Sequence, residues 1–320
     1  MKYTSLQGWW DLTLPLIDVR ETQGNNAIAS TDSRVVVSLP FSALISGERS
    51  CELPPRNVAF GILMEEIQDE AKDKCRQEGL RTFFFATCSK ATQQSRKPWI
   101  VSAILIATPA LWEESKRLGI HKSLEILVPV TSVSEPLPRL WQPDPMVSNV
   151  LWPILEQQLR RDKHQCTIWD LGSGAGRDAC FIAEMMKACG WIHCHVIGLD
   201  NHKASAKRCE PFWRHRQVAD LTKATNLNLN KLDLVEQELN DCNVICFYAV
   251  RFLNRKLVSF LAQSSKLKSG TIFAVSHFCK PHQGAEWNFE HPKVMYSRYC
   301  INAQFRMDLT LLPHFIPSLR

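Results

Sequence analysis

The chain has 320 residues, 45% apolar and 22% charged, with a net charge of +6. That length suffices for two domains with buried cores, and that balance is ordinary for a soluble globular protein. No apolar run reaches the length of a membrane span (~20 residues), so a membrane partner is not expected. The charge is uneven. Residues 1–145 hold 16 Lys+Arg against 17 Asp+Glu, and residues 146–320 hold 22 against 15. The basic character therefore belongs to the second part. Met1 to Gly8 lacks the apolar core of a signal peptide. The twelve cysteines form no C-x-x-C pair. Reduced thiols in a cytoplasmic protein are expected, with the nucleus as the other compartment.

In chain order the first landmark is Leu14-Pro-Leu-Ile-Asp18-Val19-Arg20-Glu21, an apolar strand closing on charged residues. Val35 to Pro40 and Glu52-Leu-Pro-Pro-Arg56 follow. Next come a strand over 58–63 and a helix from about Glu65 to Glu78, closed by Gly79. Over roughly Asp11 to Phe85 these segments resemble a rhodanese-like domain, an α/β fold of sulfur transfer. The resemblance implies a nucleophilic cysteine in the loop after the 58–63 strand, where backbone N–H groups stabilise a thiolate. Here that loop reads Met64-Glu65-Glu66-Ile67-Gln68-Asp69. It has no cysteine, and its three acids would repel an anion. Cys75 falls in the following helix and Cys88 after the next strand. Residues 1–130 are therefore expected to form a non-catalytic rhodanese-like module. It would pack against the rest, dock a protein partner or shape substrate access.

Pro98 to Ala107 reads as a strand. Thr108 to Gly119 reads as a helix with Thr108 as N-cap, Pro109 at its first position and Gly119 as its stop. Residues 131–145 read as a linker, because four prolines fall between Ser134 and Pro145. A second domain is expected over 146–320. Its first helix, Met146 to Arg161, should kink or restart at Pro153.

The most informative stretch follows: Cys166-Thr-Ile-Trp-Asp170-Leu-Gly172-Ser173-Gly174-Ala-Gly176-Arg-Asp178. A strand, a glycine turn and a helix over 177–188 bring backbone close to a nucleotide-like ligand. Glycine permits positive φ and leaves no Cβ to hold the ligand off. The spacing is G-x-G-x-G after an acid, so a pyrophosphate beside Asp170 is disfavoured and a ligand with a cationic end is favoured. The pattern resembles motif I of class I S-adenosylmethionine-dependent methyltransferases. The resemblance implies a doubly wound Rossmann-like α/β domain and S-adenosylmethionine as cofactor. It also assigns residues downstream. Val196 to Asp200 would be the second strand, with Asp200 accepting the ribose hydroxyls beside Asn201. Gln217 to Leu221 would be the third strand and its end, with Asp220 and Leu221 at the adenine. Asn243 to Ala249 would be the fourth strand, carrying Tyr248. Leu267-Lys-Ser-Gly270 would turn into a fifth strand over 271–275.

Methyl transfer from a sulfonium needs alignment and exclusion of water more than a base. The acceptor should lie at the ends of the fourth and fifth strands. There Arg251-Phe252-Leu253-Asn254-Arg255 resembles a segment of methyltransferases related to tellurite resistance and thiol methylation. Arg251 and Arg255 are candidates for holding an anionic acceptor, and His277 for a base. The acceptor is left open between a small anionic or thiol compound and RNA. Lys203, Lys207, Arg208, Arg214 and Arg216 on one helix would serve the latter. The competing reading is a cofactor-binding but catalytically silent partner subunit. His193-Cys194-His195 alternates across a strand with no second ligand pair, so no metal is expected. Class I domains end in an antiparallel hairpin. Only Arg306 to Leu312 offers a strand for it, so either a sheet without an edge strand or a shortened C-terminus is expected.

Overall fold

The structure is a computed structural model. It describes residues 4–21, 26–28, 30–31, 34–46, 49–56, 58–66, 78–79, 83–84, 99–123, 138–161, 165–240, 242–252, 254–278 and 297–302. The expected helix over 65–78, Cys75, Cys88 and the expected strand at 306–312 lie wholly or largely outside these residues. The chain divides into two compact units, Met1–Gln142 and Pro143–Arg320. The division falls inside the Pro-rich segment.

The first unit opens with helix α1 (Leu6–Asp11), whose N-cap Ser5 accepts the Gly8 N–H. Strands β1 (Leu16–Asp18), β2 (Asn26–Ile28) and β3 (Val36–Ser38) follow, then helix α2 (Phe41–Ile45). Strands β4 (Ala59–Glu65) and β5 (Ile100–Ala107), helix α3 (Pro109–Arg117) and strand β6 (His121–Ser123) complete it. A parallel sheet has the order β3-β1-β4-β5, and β2 pairs antiparallel with β6. Alternation along the strands feeds two cores. Ile17, Ile62 and Ile104 enter one, Leu16, Leu63 and Leu105 the other. The 58–63 strand extends to Glu65, so Met64 and Glu65 belong to the strand and not to the loop after it. Met64 completes the period-2 pattern and is buried. Helix α3 starts as its sequence dictates, with Thr108 Oγ1 accepting the Leu111 N–H, and Gly119 ends it with φ +69°.

The second unit begins with a π-helical turn, Val147–Leu151, that passes into α4 (Trp152–Arg161). Pro153 is the cause. Its ring crowds the carbonyl four residues back, and the Trp152 N–H reaches Val147 O instead. Then come β7 (Cys166–Leu171), α5 (Arg177–Ala188), β8 (Cys194–Asp200), α6 (Lys203–His215), β9 (Thr222–Asn226), α7 (Leu232–Asn240), β10 (Val244–Val250), α8 (Arg255–Gln263), β11 (Ile272–Phe278) and β12 (Ser297–Asn302). The sheet order is β12-β11-β10-β7-β8-β9. Every pair is parallel except β11 with β12. An antiparallel edge strand therefore exists at 297–302. Trp169, Leu171, Ile197, Phe247 and Phe273 pack with α7 and α8 on one face. Trp213 of α6 closes over Gly198 on the other. Helices on both faces of a mostly parallel sheet define a doubly wound, Rossmann-like α/β unit. The chain leaves β7 toward β8 and β9, then returns to its other side with β10. Ligands of such sheets bind where the direction reverses, beyond the ends of β7 and β10.

Candidate functional site

The end of β7 is the glycine turn. Gly172, Gly174 and Gly176 have φ of +78°, +53° and +66°. Each is left-handed, and for two of them space is scarce as well. A Cβ at Gly176 would lie 2.7 Å from both Cys209 Sγ and a Trp213 ring carbon. A Cβ at Gly172 would lie 2.9 Å from Phe252. Gly174 differs, since a Cβ there meets nothing nearer than Gly172 O at 3.9 Å. Its outward side is an open cradle. Helix α6 holds the turn from behind. Trp213 Nε1 donates to Gly176 O at 2.9 Å, and the Cys209 thiol donates to Gly174 O at 3.6 Å.

Asp200 ends β8 beside this turn. Its Oδ2 accepts the Gly174 N–H at 2.9 Å and its Oδ1 accepts the His202 N–H at 2.7 Å. Each oxygen keeps a lone pair for a further donor, as a diol requires. Asn201 is exposed next to it. Ser173 Oγ faces Gly198.

Asp170 and Tyr248 pair in register on β7 and β10 and are both buried. Burial pushes the Asp170 carboxyl well above the usual range, helped by Asp178 and Asp200 and opposed by Tyr248. Burial, then Asp170, pushes the Tyr248 phenol up as well. The Tyr248 hydroxyl lies close enough to Asp170 for this exchange but makes no hydrogen bond of good geometry. Asp170 is thus a weaker anion than its position in the sequence implied. Asp178, in the first turn of α5, accepts the Asp144 N–H at 2.7 Å. Burial pushes its carboxyl up to about 6, the Asp144 hydrogen bond, Arg251 and Arg177 acting against this.

At the end of β10, Arg251 has φ +60° and its N–H donates to Ser276 O at 2.6 Å. A left-handed non-glycine residue stores strain, and such strain gathers at functional corners. This corner sets Phe252 against Gly172. Arg255 is exposed at the start of α8, whose N-cap Asn254 accepts the Leu257 N–H and donates to Leu229 O. The backbone of His277 pairs with Arg298 on β12.

Two assignments need correction. Gln217–Leu221 is not the third strand. Gln217 has φ +56° and turns the chain out of α6, and Ala219–Leu221 is a 3-10 turn. The strand is β9, Thr222–Asn226, parallel to β8 with Val196 opposite Thr222 and Asp200 opposite Asn226. Asp220 and Leu221 therefore precede the strand, at the end of β9 that pairs with Val196 and away from the end that pairs with Asp200. Asn226 stands opposite Asp200 instead, and its Nδ2 donates to Asp200 O at 3.0 Å. Arg216 also leaves the basic set, because it is buried and paired with Glu184. Sequence reasoning passed over Phe252, Cys209, Trp213 and Asp144, whose roles come from packing between distant segments.

No protein-family model matches this chain, and no curated protein matches it. Solved structures do. The RNA methyltransferase of Salinibacter ruber, in complex with S-adenosyl-L-homocysteine, is 18% identical over 49% of this chain and 94% of its own, with a TM-score of 0.31. An S-adenosylmethionine-dependent methyltransferase of Geobacter sulfurreducens, in complex with the same compound, is 15% identical over 44% of this chain and 53% of its own, TM-score 0.31. The [4+2]-cyclase SpnF is 15% identical over 42% and 47%, TM-score 0.31. The chain spans about half the length of the latter two. Nothing about activity follows from likeness at this level. The reading of the site rests on its residues.

Proposed function

We propose that the second unit binds S-adenosylmethionine and transfers its methyl group. The observation that carries this is the pairing of the open, left-handed Gly174 with the Asp200 carboxylate bonded to its N–H. The residues fit the cofactor. The cradle at Gly174 is the size of a missing Cβ, and the Asp200 carboxylate can accept two hydroxyl protons and suits a ligand with a cationic end. S-adenosylmethionine, when bound, supplies a methyl group on an electrophilic sulfonium. The chain's own work is then alignment and exclusion of water. Asp200 holds the ribose, Asn226 and Leu227 flank the base, and Ser173 and Gly174 seat the amino-acid end. Phe252 shields the turn at the switch point. Arg251, exposed at the strained corner, presents a guanidinium to an anionic acceptor, and Arg255 extends that charge along α8. His277 is kept as a candidate base. The acceptor is a small anionic or thiol compound or RNA.

Calorimetry with S-adenosylmethionine tests the reading. Micromolar binding that Asp200→Ala weakens supports it, and no heat at high micromolar concentration overturns it. Transfer of labelled methyl to a metabolite extract or to total RNA then identifies the acceptor class. A silent, cofactor-binding subunit is the competing reading, and turnover by the pure protein removes it. For the first unit we propose a rhodanese-like module without sulfurtransferase activity. The expected result is no thiocyanate from thiosulfate and cyanide.

A further inference from the structure

Helix α6 has two faces with different duties. Its inner face fixes the glycine turn through Trp213 and Cys209, so the helix and the turn move as one piece. Its outer face carries Lys203, Lys207, Arg208 and Arg214, all exposed. None of the four has an ion-pair partner among the described residues. On other helices some cations are paired, Lys116 with Glu113 and Arg160 with Glu156. Lys203 and Lys207 are one turn apart, and Arg214 lies two turns beyond Lys207, which puts these three on one stripe. Glu210, three residues after Lys207 and four before Arg214, stands on the same stripe, while Arg208 lies about 100° round the helix from Lys207. The helix begins three residues after Asp200, at the ligand edge of the sheet. Its 13 residues carry the charge about 20 Å along the unit. The aromatic residues of α6, Phe212 and Trp213, are buried, so the face offers cations and no ring for a base to stack on.

The geometry points to a docking surface for the phosphate backbone of a nucleic acid along the outer face of α6, delivering the strand to the mouth of the cofactor site. Exposed cations without an ion-pair partner bind phosphates without reading sequence. An acidic protein is the less suited partner, since it would need complementary packing and the face has no apolar anchor. The inference deepens the methyl-transfer proposal and rests on it for the role of the strand as acceptor. The binding itself does not depend on the cofactor.

The test is fluorescence anisotropy of the full chain with fluorescein-labelled 20-nucleotide polyuridylate and polydeoxythymidylate, without cofactor. Four phosphate contacts predict a dissociation constant of roughly 1–100 µM that weakens about 50-fold between 50 and 200 mM salt. Replacing all four cations with glutamine should remove most of this affinity and flatten the salt dependence. The side chains are exposed, so the melting temperature and S-adenosylmethionine affinity of that variant should hold. Preference for polyuridylate over polydeoxythymidylate assigns RNA, and equal binding assigns the shared backbone. No binding at 50 mM salt overturns the proposal. So does binding that the glutamine variant retains, or polyglutamate that competes as well as RNA. Loss of cofactor binding by the wild-type chain with nucleic-acid binding intact would sink the methyl-transfer proposal alone.

Discussion

Each unit carries a buried aspartate at or next to the end of a central parallel strand, and the two aspartates differ in their neighbours. Asp18, at the end of β1, is 2% exposed, and Asp170, in β7, is 3% exposed. Asp18 is saturated. Arg20 Nε donates to its Oδ1 at 2.9 Å and Arg20 Nη2 to its Oδ2 at 2.7 Å, and the Arg20 N–H adds a third bond. The same guanidinium donates to Asn26 O and covers Trp112. Asp170 faces two further carboxyls and a phenol. A buried charge with a bidentate partner holds a fold together, whereas a buried acid among acids costs stability and persists where a ligand or reaction uses it. The first unit spends its acid on structure, and the second keeps its acid open.

The largest expected effect separates these roles. Asp18→Ala leaves Arg20 charged and buried without its partner, so urea denaturation of the first unit should show a loss of about 3–5 kcal/mol. Asp170→Asn should leave stability equal or raise it while weakening S-adenosylmethionine in calorimetry. Equal destabilisation by both would erase the distinction. Next come the glycines. Gly176→Ala carries both a left-handed penalty of about 1–2 kcal/mol and the 2.7 Å clash with Trp213 and Cys209. It should lower the melting temperature clearly. Gly174→Ala carries only the former, yet should abolish cofactor binding by filling the cradle. Asp200→Ala should then weaken the cofactor at least tenfold, about 1.4 kcal/mol, and Asp220→Ala should leave it unchanged.

The smallest effect is a pH slope. Asp178 titrates near 6 when folded, above the ordinary carboxyl range of about 4. Its neutral form is the favoured one in the fold. Its contribution to stability is therefore present at low pH and is lost as pH rises from about 4 to about 6. Asp178→Asn keeps an acceptor for the Asp144 N–H and should flatten that part of the melting profile.

What the sequence disclosed was local chemistry. The glycine turn and helix 177–188 could be read directly, because φ preference and helical periodicity act within a few residues. Thr108, Pro109 and Gly119 marked their helix for the same reason. The edges of the sheet were hidden. Val218 and Leu221 are apolar and look like a strand, but they are buried under the turn that leaves α6. The actual strand, Thr222-Lys-Ala-Thr-Asn226, has only partly buried or exposed residues, since an edge strand is not covered on both sides. β12 escaped notice likewise. Asp220 and Leu221 were misplaced by that one slip. The contacts of Phe252 with Gly172 and of Trp213 with Gly176 join segments far apart in the chain, and no spacing rule reaches them.

The hydrogen bond between Asp144 and Asp178 bears on where the protein can be cut. In Pro143-Asp144-Pro145 the prolines have no N–H, so Asp144 supplies the tripeptide's sole main-chain donor. That donor goes to Asp178, while Asp144 Oδ1 accepts the Met146 N–H at 3.0 Å and its carbonyl accepts the Val147 N–H at 2.8 Å. A second unit excised from Met146 onward would begin its first helix uncapped and leave Asp178 without its donor. One beginning at or before Pro143 keeps both, and protease trimming should stall at that tripeptide.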